Sequence, residues 1–454
     1  MLRGMRARVA GAVGFGAFAA FGAHAENDEA TLRARLAALA ERLDRIDGAE
    51  RASFAAKRVA PAQAVSGGEF PGSWKLPGSE TSISFGGYVK ADAFLTRGAA
   101  HTAVGDSFVV SSIPLGRTAA ARQGGDFRLH ARESRLRFET STPTDAGRLK
   151  TTIEGDFYGA GGNQRFANST TFALYHAFAQ FGPTLIGHTN STFADRDTAF
   201  DTVDFAGPVG QEYNRQAQIR RTVELGETLD LDLAIENPEG RTMTPTGGTD
   251  VNVVDKLPDF VAALRYKDSW GAVNLSGVLA RVTYDDGLGA SDSNWGTMLH
   301  AGGHVKLTEE DKISLVANYG LGLGRYMYGG APSMAVECRT GRVFAAGCGA
   351  RLHAVEMWGG WVGYTRKWSE AWRSSIHYGL VRNNIPVDVL GAAGAQGRVR
   401  ALDSLHLNAF WSPVERVEIG VEWMWGWRRD AAAPDGSSTS GRAERAQAAI
   451  KFLF

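Results

Sequence analysis

Several things are scarce in this chain, and each scarcity excludes a class of protein. It has only two cysteines in 454 residues, Cys338 and Cys348. A thiol metal cluster needs more thiols or histidines at ligand spacing, and none is visible. With nine residues between them in a glycine-containing stretch, the pair is expected to be a loop-stapling disulfide of an exported protein. His300 and His304 do not supply a metal site either, because on a strand they stand roughly 13 Å apart. There is no G-x-S-x-G elbow, no H-E-x-x-H pair and no P-loop, so no motif supports an enzyme, and no cofactor is expected. The 49 basic and 49 acidic residues cancel, which leaves no basic footprint for nucleic acid. After the first 25 residues no apolar run approaches the roughly 18 residues that a transmembrane helix requires. A charged fraction of 22 % is also too high for a helical membrane protein.

What is abundant points to strands. The chain has 56 glycines, 10 % aromatic residues and only 14 prolines, a composition that suits many strands joined by turns. Residues 1–25 read as a signal peptide: Arg3, Arg6 and Arg8 precede an apolar stretch from Val9 to Phe21, and Ala23-His24-Ala25 is a small-x-small cleavage site. Loss of those three arginines takes 49 basic residues to 46 against 49 acids, a mature net charge of −3. From residue 26 to 58 the pattern turns helical, with Leu32, Leu36, Leu39, Leu43 and Ile46 spaced as an a/d seam. Two heptads are marginal alone, so this segment reads either as a periplasmic coiled coil between barrels already held together or as a single solvated helix. Residues 59–80, with Pro61, Gly67, Gly68, Pro71 and Pro77, read as an extended linker.

Residues 81–454 read as a transmembrane antiparallel β-barrel of about 16 strands. The last ten residues alternate, with Ala446, Ala448, Ile450, Phe452 and Phe454 on an apolar side and Arg445, Gln447 and Lys451 on the other. This is the expected closing strand. Its neighbour sets Val421, Trp423, Trp425 and Trp427 on one face, which suits an aromatic girdle at a bilayer boundary better than a soluble sandwich. Near Arg132 the alternation changes phase, because Phe127, Leu129 and Ala131 keep one parity and Leu136 and Phe138 the other; a β-bulge would reconcile them. Short turns such as Gly226-Glu227-Thr228 alternate with long segments such as 327–351, the asymmetry of periplasmic turns and extracellular loops.

Two sets of charges stand out. Arg128, Arg132, Arg135 and Arg137 crowd one strand and, with Lys90, Lys150 and Arg220, are expected to form a basic wall in the lumen. Residues 194–214 break the strand rhythm and carry Asp195, Asp197, Asp201 and Asp204. This segment reads as a loop folded into the lumen opposite that wall, or as an ordinary exposed loop.

In its order of motifs the chain resembles the DcaP-like outer-membrane porins, a family named for uptake of dicarboxylic acids. The likeness rests on the run from Leu76-Pro77-Gly78-Ser79-Glu80-Thr81 to Gly86-Gly87-Tyr88-Val89-Lys90-Ala91-Asp92-Ala93. It continues in Ala131-Arg132-Glu133-Ser134-Arg135-Leu136, Ser191-Thr192-Phe193, Asp204-Phe205-Ala206-Gly207-Pro208-Val209-Gly210 and Arg215-Gln216-Ala217-Gln218-Ile219-Arg220. The resemblance implies a trimer of sixteen-stranded barrels in the lipid of the outer membrane, a periplasmic coiled coil and a preference for small organic anions, dicarboxylates above all. The chain departs from the pattern at Asn190, where an aromatic is expected, and at Arg221, which falls on the lipid-facing parity. The expected function is passive, anion-preferring diffusion, with carboxylates pairing bidentately with arginine. The alternatives are a general diffusion or sugar channel, and an envelope tether whose N-terminal helix contacts peptidoglycan.

Overall fold

The computed structural model describes residues 34–35, 37–42, 66–99, 106–116, 118–159, 170–249, 252–338, 349–433 and 438–454. The chain divides into two compact units, residues 1–65 and 66–454. In the first, residues 34–35 and 37–42 are helical and exposed, Leu39 included. The leader and the rest of the leucine seam lie outside the described residues.

In the second unit, period-2 alternation produces a closed barrel of sixteen strands. They are β1 (Ser82–Arg97), β2 (Asp126–His130 continued by Arg135–Thr144), β3 (Gly147–Gly159), β4 (Thr171–Phe181), β5 (Thr184–Asn190), β6 (Arg215–Glu224), β7 (Leu229–Glu236) and β8 (Asp259–Asp268). The second half comprises β9 (Gly271–Asp285), β10 (Ser291–Lys306), β11 (Asp311–Leu321), β12 (Glu356–Lys367), β13 (Trp372–Asn384), β14 (Val399–Val414), β15 (Val417–Asp430) and β16 (Ser440–Leu453). The sheet counts 18 segments because β2 is split in two and the two-residue segment Trp74–Lys75 pairs with the start of β1. Every neighbouring barrel pair is antiparallel, and β16 closes on β1 with Tyr88 opposite Leu453 and Arg97 opposite Glu444. Closure leaves no edge, as backbone groups in lipid demand. The terminal residue joins it: Phe454 donates its N–H to the Gly87 carbonyl at 3.1 Å.

One face of each strand meets lipid and the other the lumen. On β1, Phe85, Val89 and Leu95 are exposed whereas Ser82, Lys90, Asp92 and Thr96 are buried. Tryptophans mark the boundaries. Trp270, Trp368, Trp372 and Trp411 lie near the short turns, with Trp372 and Trp411 stacked, and Trp295, Trp358 and Trp427 lie toward the long loops. Arg221, on the lipid-facing parity, stands near a short turn and donates to the Thr184 hydroxyl at 2.9 Å, so its charge sits at the water boundary.

The phase change in β2 is a bulge. Asp92 pairs with His130 and Tyr88 with Arg135, so four residues of β2 lie between those partners against three of β1. The Ser134 hydroxyl takes over the ladder there, accepting from the Lys90 N–H at 3.0 Å, and Glu133 swings to the Lys90 ammonium.

Alternation in the sequence extends the fifth strand to Phe193 and the eleventh to Tyr326, and both stop earlier. β5 ends at Asn190, because Ser191 turns inward. β11 ends at Leu321, because Gly322 takes a positive φ of 75° and a 3-10 turn follows at Gly324–Tyr326. The 327–351 segment carries strands of its own: Met334–Cys338 pairs with Ala350–Ala354 and with Thr242–Met243. Their buried side chains join Phe108, Ile113, Tyr284 and Leu390 in one apolar cluster built from several long loops. Cys338 is disulfide-bonded; Cys348 lies outside the described residues. The expected linker is also structured from Ser66 on, with a turn at Phe70–Ser73 that the positive φ of Gly72 permits.

The lipid face carries a direct test. Leu315 lies near the middle of β11 and is 57 % exposed, so Leu315→Arg should destabilise the barrel in lipid by about 2–4 kcal/mol. Urea-titrated folding into vesicles measures it; an unchanged midpoint would contradict the assignment of this face.

Candidate functional site: the luminal constriction

The third long connection, residues 191–214, begins where β5 ends and runs into the lumen instead of away from it. Any chain crossing a barrel must find partners for its backbone N–H and C=O groups, and this loop finds them on the wall. At its start, Thr192 donates its N–H to Glu236 at 2.6 Å. The Ser276 hydroxyl donates to the Phe193 carbonyl at 2.6 Å, and Arg265 donates to the carbonyls of Thr192 and Ala194 at 2.8 and 3.0 Å. Farther along, Asn408 donates to the Asp201 carbonyl at 2.6 Å and Lys90 to the Val203 carbonyl at 2.7 Å. The N–H groups of Val203 and Asp204 share one oxygen of Glu422, whose other oxygen lies 2.8 Å from His406 Nδ1. On the return, the Val209 N–H donates to Ser404 at 3.1 Å, and Asn318 donates to the Gly210 carbonyl at 2.8 Å.

Glycine lets the loop lie flat. Gly210 has a φ of 87°, and a Cβ there would sit 2.5 Å from the Gly360 carbonyl; a Cβ on Gly379 would sit 2.2 Å from the Val209 carbonyl. The loop therefore covers the luminal face of β8–β16 and leaves the passage along β2–β6.

This arrangement fixes the fate of the predicted residues. Asp197 pairs with Lys267 at 2.5 Å, and Asp201 takes a two-point bond from Arg373 at 2.7 and 3.2 Å. Asp204 accepts from the Phe108 and Ala206 N–H groups and lies 3.6 Å from Arg445. Asp195 caps the loop by accepting from the Asp197 and Thr198 N–H groups. Three of these four aspartates thus turn toward the wall behind the loop, and among the described residues none bonds Arg128, Arg132, Arg135 or Arg137. The expected confrontation of basic wall and acidic loop gives way to fastening.

The predicted cations divide as well. Arg128 and Arg132 converge on Asp106 of the first long loop. Burial pushes that carboxyl up, but the bond from Arg128 and the charge of Arg132 outweigh it and hold it below the ordinary range. Arg135 reaches Glu154 and Asp156 at 3.2 and 3.3 Å, and Arg137 reaches Glu154 and Glu139 at 2.8 and 2.7 Å. Lys90 is buried against Glu133 and Asp92. Among the described residues, Lys150 and Arg220 carry no ion pair.

The loop and the β2–β6 wall enclose a cavity of about 730 Å³. Its lining includes Arg137, Arg196, Arg215 and Arg220, against which stand Asp195 and Glu212. Glu212 is engaged, 2.6 Å from His300 Nδ1. Arg220 is 6 % exposed and its Nη1 has no partner. Arg196 and Arg265 both bond Asp232. Burial first, then the neighbouring Arg265 and Arg220, bring the Arg196 guanidinium down to about 10, which keeps it charged at neutral pH.

Arg215 is absent from the expected set, although it stands in the quoted Arg215–Arg220 motif. Its guanidinium lies 3.7 Å from the Tyr175 ring centre, and that of Arg135 lies 3.8 Å from the same centre. Alternating ring and cation are a legible signal only once β4 and β6 are known to be near neighbours. Among the described residues no His/Cys/Asp/Glu group has the makings of a metal site.

Comparison with known proteins agrees with this fold. The family described as DcaP outer membrane protein matches residues 70–441. Porin Omp2b of Brucella canis is 27 % identical over 259 residues, 55 % of this chain; the match spans 62 % of that protein's length. Among solved structures, the outer membrane channel DcaP of Acinetobacter baumannii aligns with a TM-score of 0.68 at 20 % identity, covering 86 % of this chain and all of that one. The anion-selective porin from Comamonas acidovorans aligns at 0.53 with 11 % identity, covering 83 % of this chain and all of that one.

The fastening predicts its own failure. Glu422→Leu strips the acceptor from two buried N–H groups, at a cost of about 1–3 kcal/mol for each, and Gly379→Val forces the loop off the wall. Both variants should show larger and noisier single-channel currents in a planar bilayer. Currents indistinguishable from the parent's would mean that the remaining contacts hold the loop without these two.

Proposed function

The chain belongs to the DcaP outer membrane protein family, an outer-membrane porin by fold and kinship, and we propose that its passage prefers small organic anions, dicarboxylates among them. The observation that carries this reading is the pair Arg215 and Arg220, two guanidiniums that line the constriction and have no carboxylate partner among the described residues. A fixed positive excess in a narrow, low-dielectric passage concentrates anions. A guanidinium suits a carboxylate because two parallel N–H groups meet two oxygens. Arg215 is half-buried and Arg220 buried behind it, so a solute carboxylate meets one guanidinium at a time and release stays fast, as conduction requires. Anion selectivity in the Comamonas porin named above is consistent with the reading, as a likeness of fold.

The further elements of the proposal are a cleaved leader ending at Ala25, a trimer, and association of the N-terminal helices as a coiled coil. The exposed Leu39 supports the last of these. Contact with peptidoglycan belongs to the alternative in which the helix tethers the envelope. A general or sugar channel is favoured by the aromatic side chains on the cavity wall, Tyr175, Tyr213, Phe200, Phe205 and Trp361 among them.

The reversal potential under a KCl gradient separates these. The parent should prefer chloride, and Arg215→Ser combined with Arg220→Ser should reduce that preference several-fold. Arg128→Ala with Arg132→Ala should change it less, because Asp106 and Asp126 already answer their charge. Cation preference in the parent, or equal effects of the two pairs, would overturn the assignment.

A further inference from the structure

A second cavity, of about 790 Å³, lies in the lumen at the short-turn end of β2–β4. Arg137 lines it and the constriction cavity alike, so the two are consecutive stations on one wall. Arg148 and Lys150 on β3 add two cations, with Ser141 and Gln180 as neutral hydrogen-bonding groups.

Two further wall residues, Glu69 and Phe70, come not from the barrel strands but from the segment before them. Glu69 belongs to the hairpin that precedes β1, which is anchored by Trp74 and Lys75 pairing with Ile83 and Ser82 and by the Glu69 N–H donating to the Ser82 hydroxyl at 3.0 Å. Its carboxylate ion-pairs with Arg148 and lies within 3.5 Å of the Ser141 hydroxyl. Glu139 of β2 also lines the cavity but is bonded to Arg137 at 2.7 Å, so the N-terminal segment delivers a second carboxylate, beside Arg148 and Lys150, on the path of the proposed solute.

We propose that this cavity is a carboxylate-binding exit subsite and that Glu69 is its tethered competitor, occupying Arg148 until a solute carboxylate displaces it and re-occupying it as the solute leaves. The proposal rests on the anion-passing reading above and adds a site and a gating group to it. The pair is exchangeable, because Arg148 and Glu69 keep 45 % and 26 % of their side-chain surface exposed and such solvated pairs contribute little. A short tether holds its ligand at an effective concentration on the order of millimolar, so Glu69 competes with a solute in that range. Among the described residues Lys150 has no acidic partner, so it remains available when Glu69 is home. The physical result is a weakened final site, which speeds release into the periplasm.

Single-channel recordings with succinate added to one side at a time test this. Block by succinate should occur in the parent from both sides. Glu69→Gln should tighten block from one side several-fold and leave the other side within error; Lys150→Gln should weaken block from that same side. A Glu69→Gln channel whose block is unchanged, or shifts equally from both sides, overturns the proposal even where the parent is anion-preferring. A parent that is neither anion-preferring nor blocked by succinate removes the anion-passing reading and this inference together.

Discussion

Everything functional in this barrel depends on one constraint: a 24-residue chain segment, 191–214, crosses the lumen, and its peptide groups must be partnered there. Buried carboxylates carry much of that task. Glu236 on β7 accepts from Ser191 and Thr192, Glu212 of the loop meets His300 on β10, and Glu422 on β15 accepts from Val203 and Asp204. A carboxylate accepting backbone N–H groups makes charge-assisted bonds, roughly twice as strong as neutral ones. Four imidazoles, His300, His304, His377 and His406, sit at the same seam. They act there as fasteners of the loop.

That fastening decides the electrostatics of the passage. Because Asp197, Asp201 and Asp204 are turned to Lys267, Arg373 and Arg445 behind the loop, their charges are answered away from the solute path. The facing wall is then left with guanidiniums in excess. An acidic loop by composition becomes, in place, a nearly neutral partition beside a positive wall.

The barrel itself was legible in the sequence because its signal is local. Alternation gave about sixteen strands, the number found, with the fourth read over Thr171–Phe181 as β4 is; the β2 phase change correctly called for one extra residue near Arg132. What was not legible is pairing between distant residues. Asp106 stands alone in its loop, and nothing in its neighbours says that Arg128 and Arg132 will close on it. The direction in which Asp197 and Asp201 point is set by Lys267 and Arg373, some 70 and 172 residues away. Arg215 was passed over because its partners are rings, and a tyrosine on a strand gives no sign that it will lie under a cation. The strands at Met334–Cys338 and Ala350–Ala354 were hidden for a related reason, since a loop strand is defined by what it covers.

The contrast between the two kinds of arginine on the β2–β6 wall explains how a passage keeps charge without closing on it. Arg135 and Arg137 are held by Glu154, Asp156 and Glu139, which fixes their geometry and cancels most of their field. Arg215 is held differently, by the face of Tyr175, with Tyr213 5.7 Å away. An aromatic face attracts a cation through its quadrupole and carries no net charge, so it fixes the guanidinium while leaving its full positive charge directed at the lumen. Tyr175 bears Arg135 and Arg215 at nearly equal distances, and two guanidiniums that close to one ring centre must occupy opposite faces. The ring therefore separates an arginine neutralised by carboxylates from one that has no carboxylate partner among the described residues. On the proposed reading, it is the N–H groups of this guanidinium that a solute carboxylate meets, because among the described residues no carboxylate of the protein occupies them.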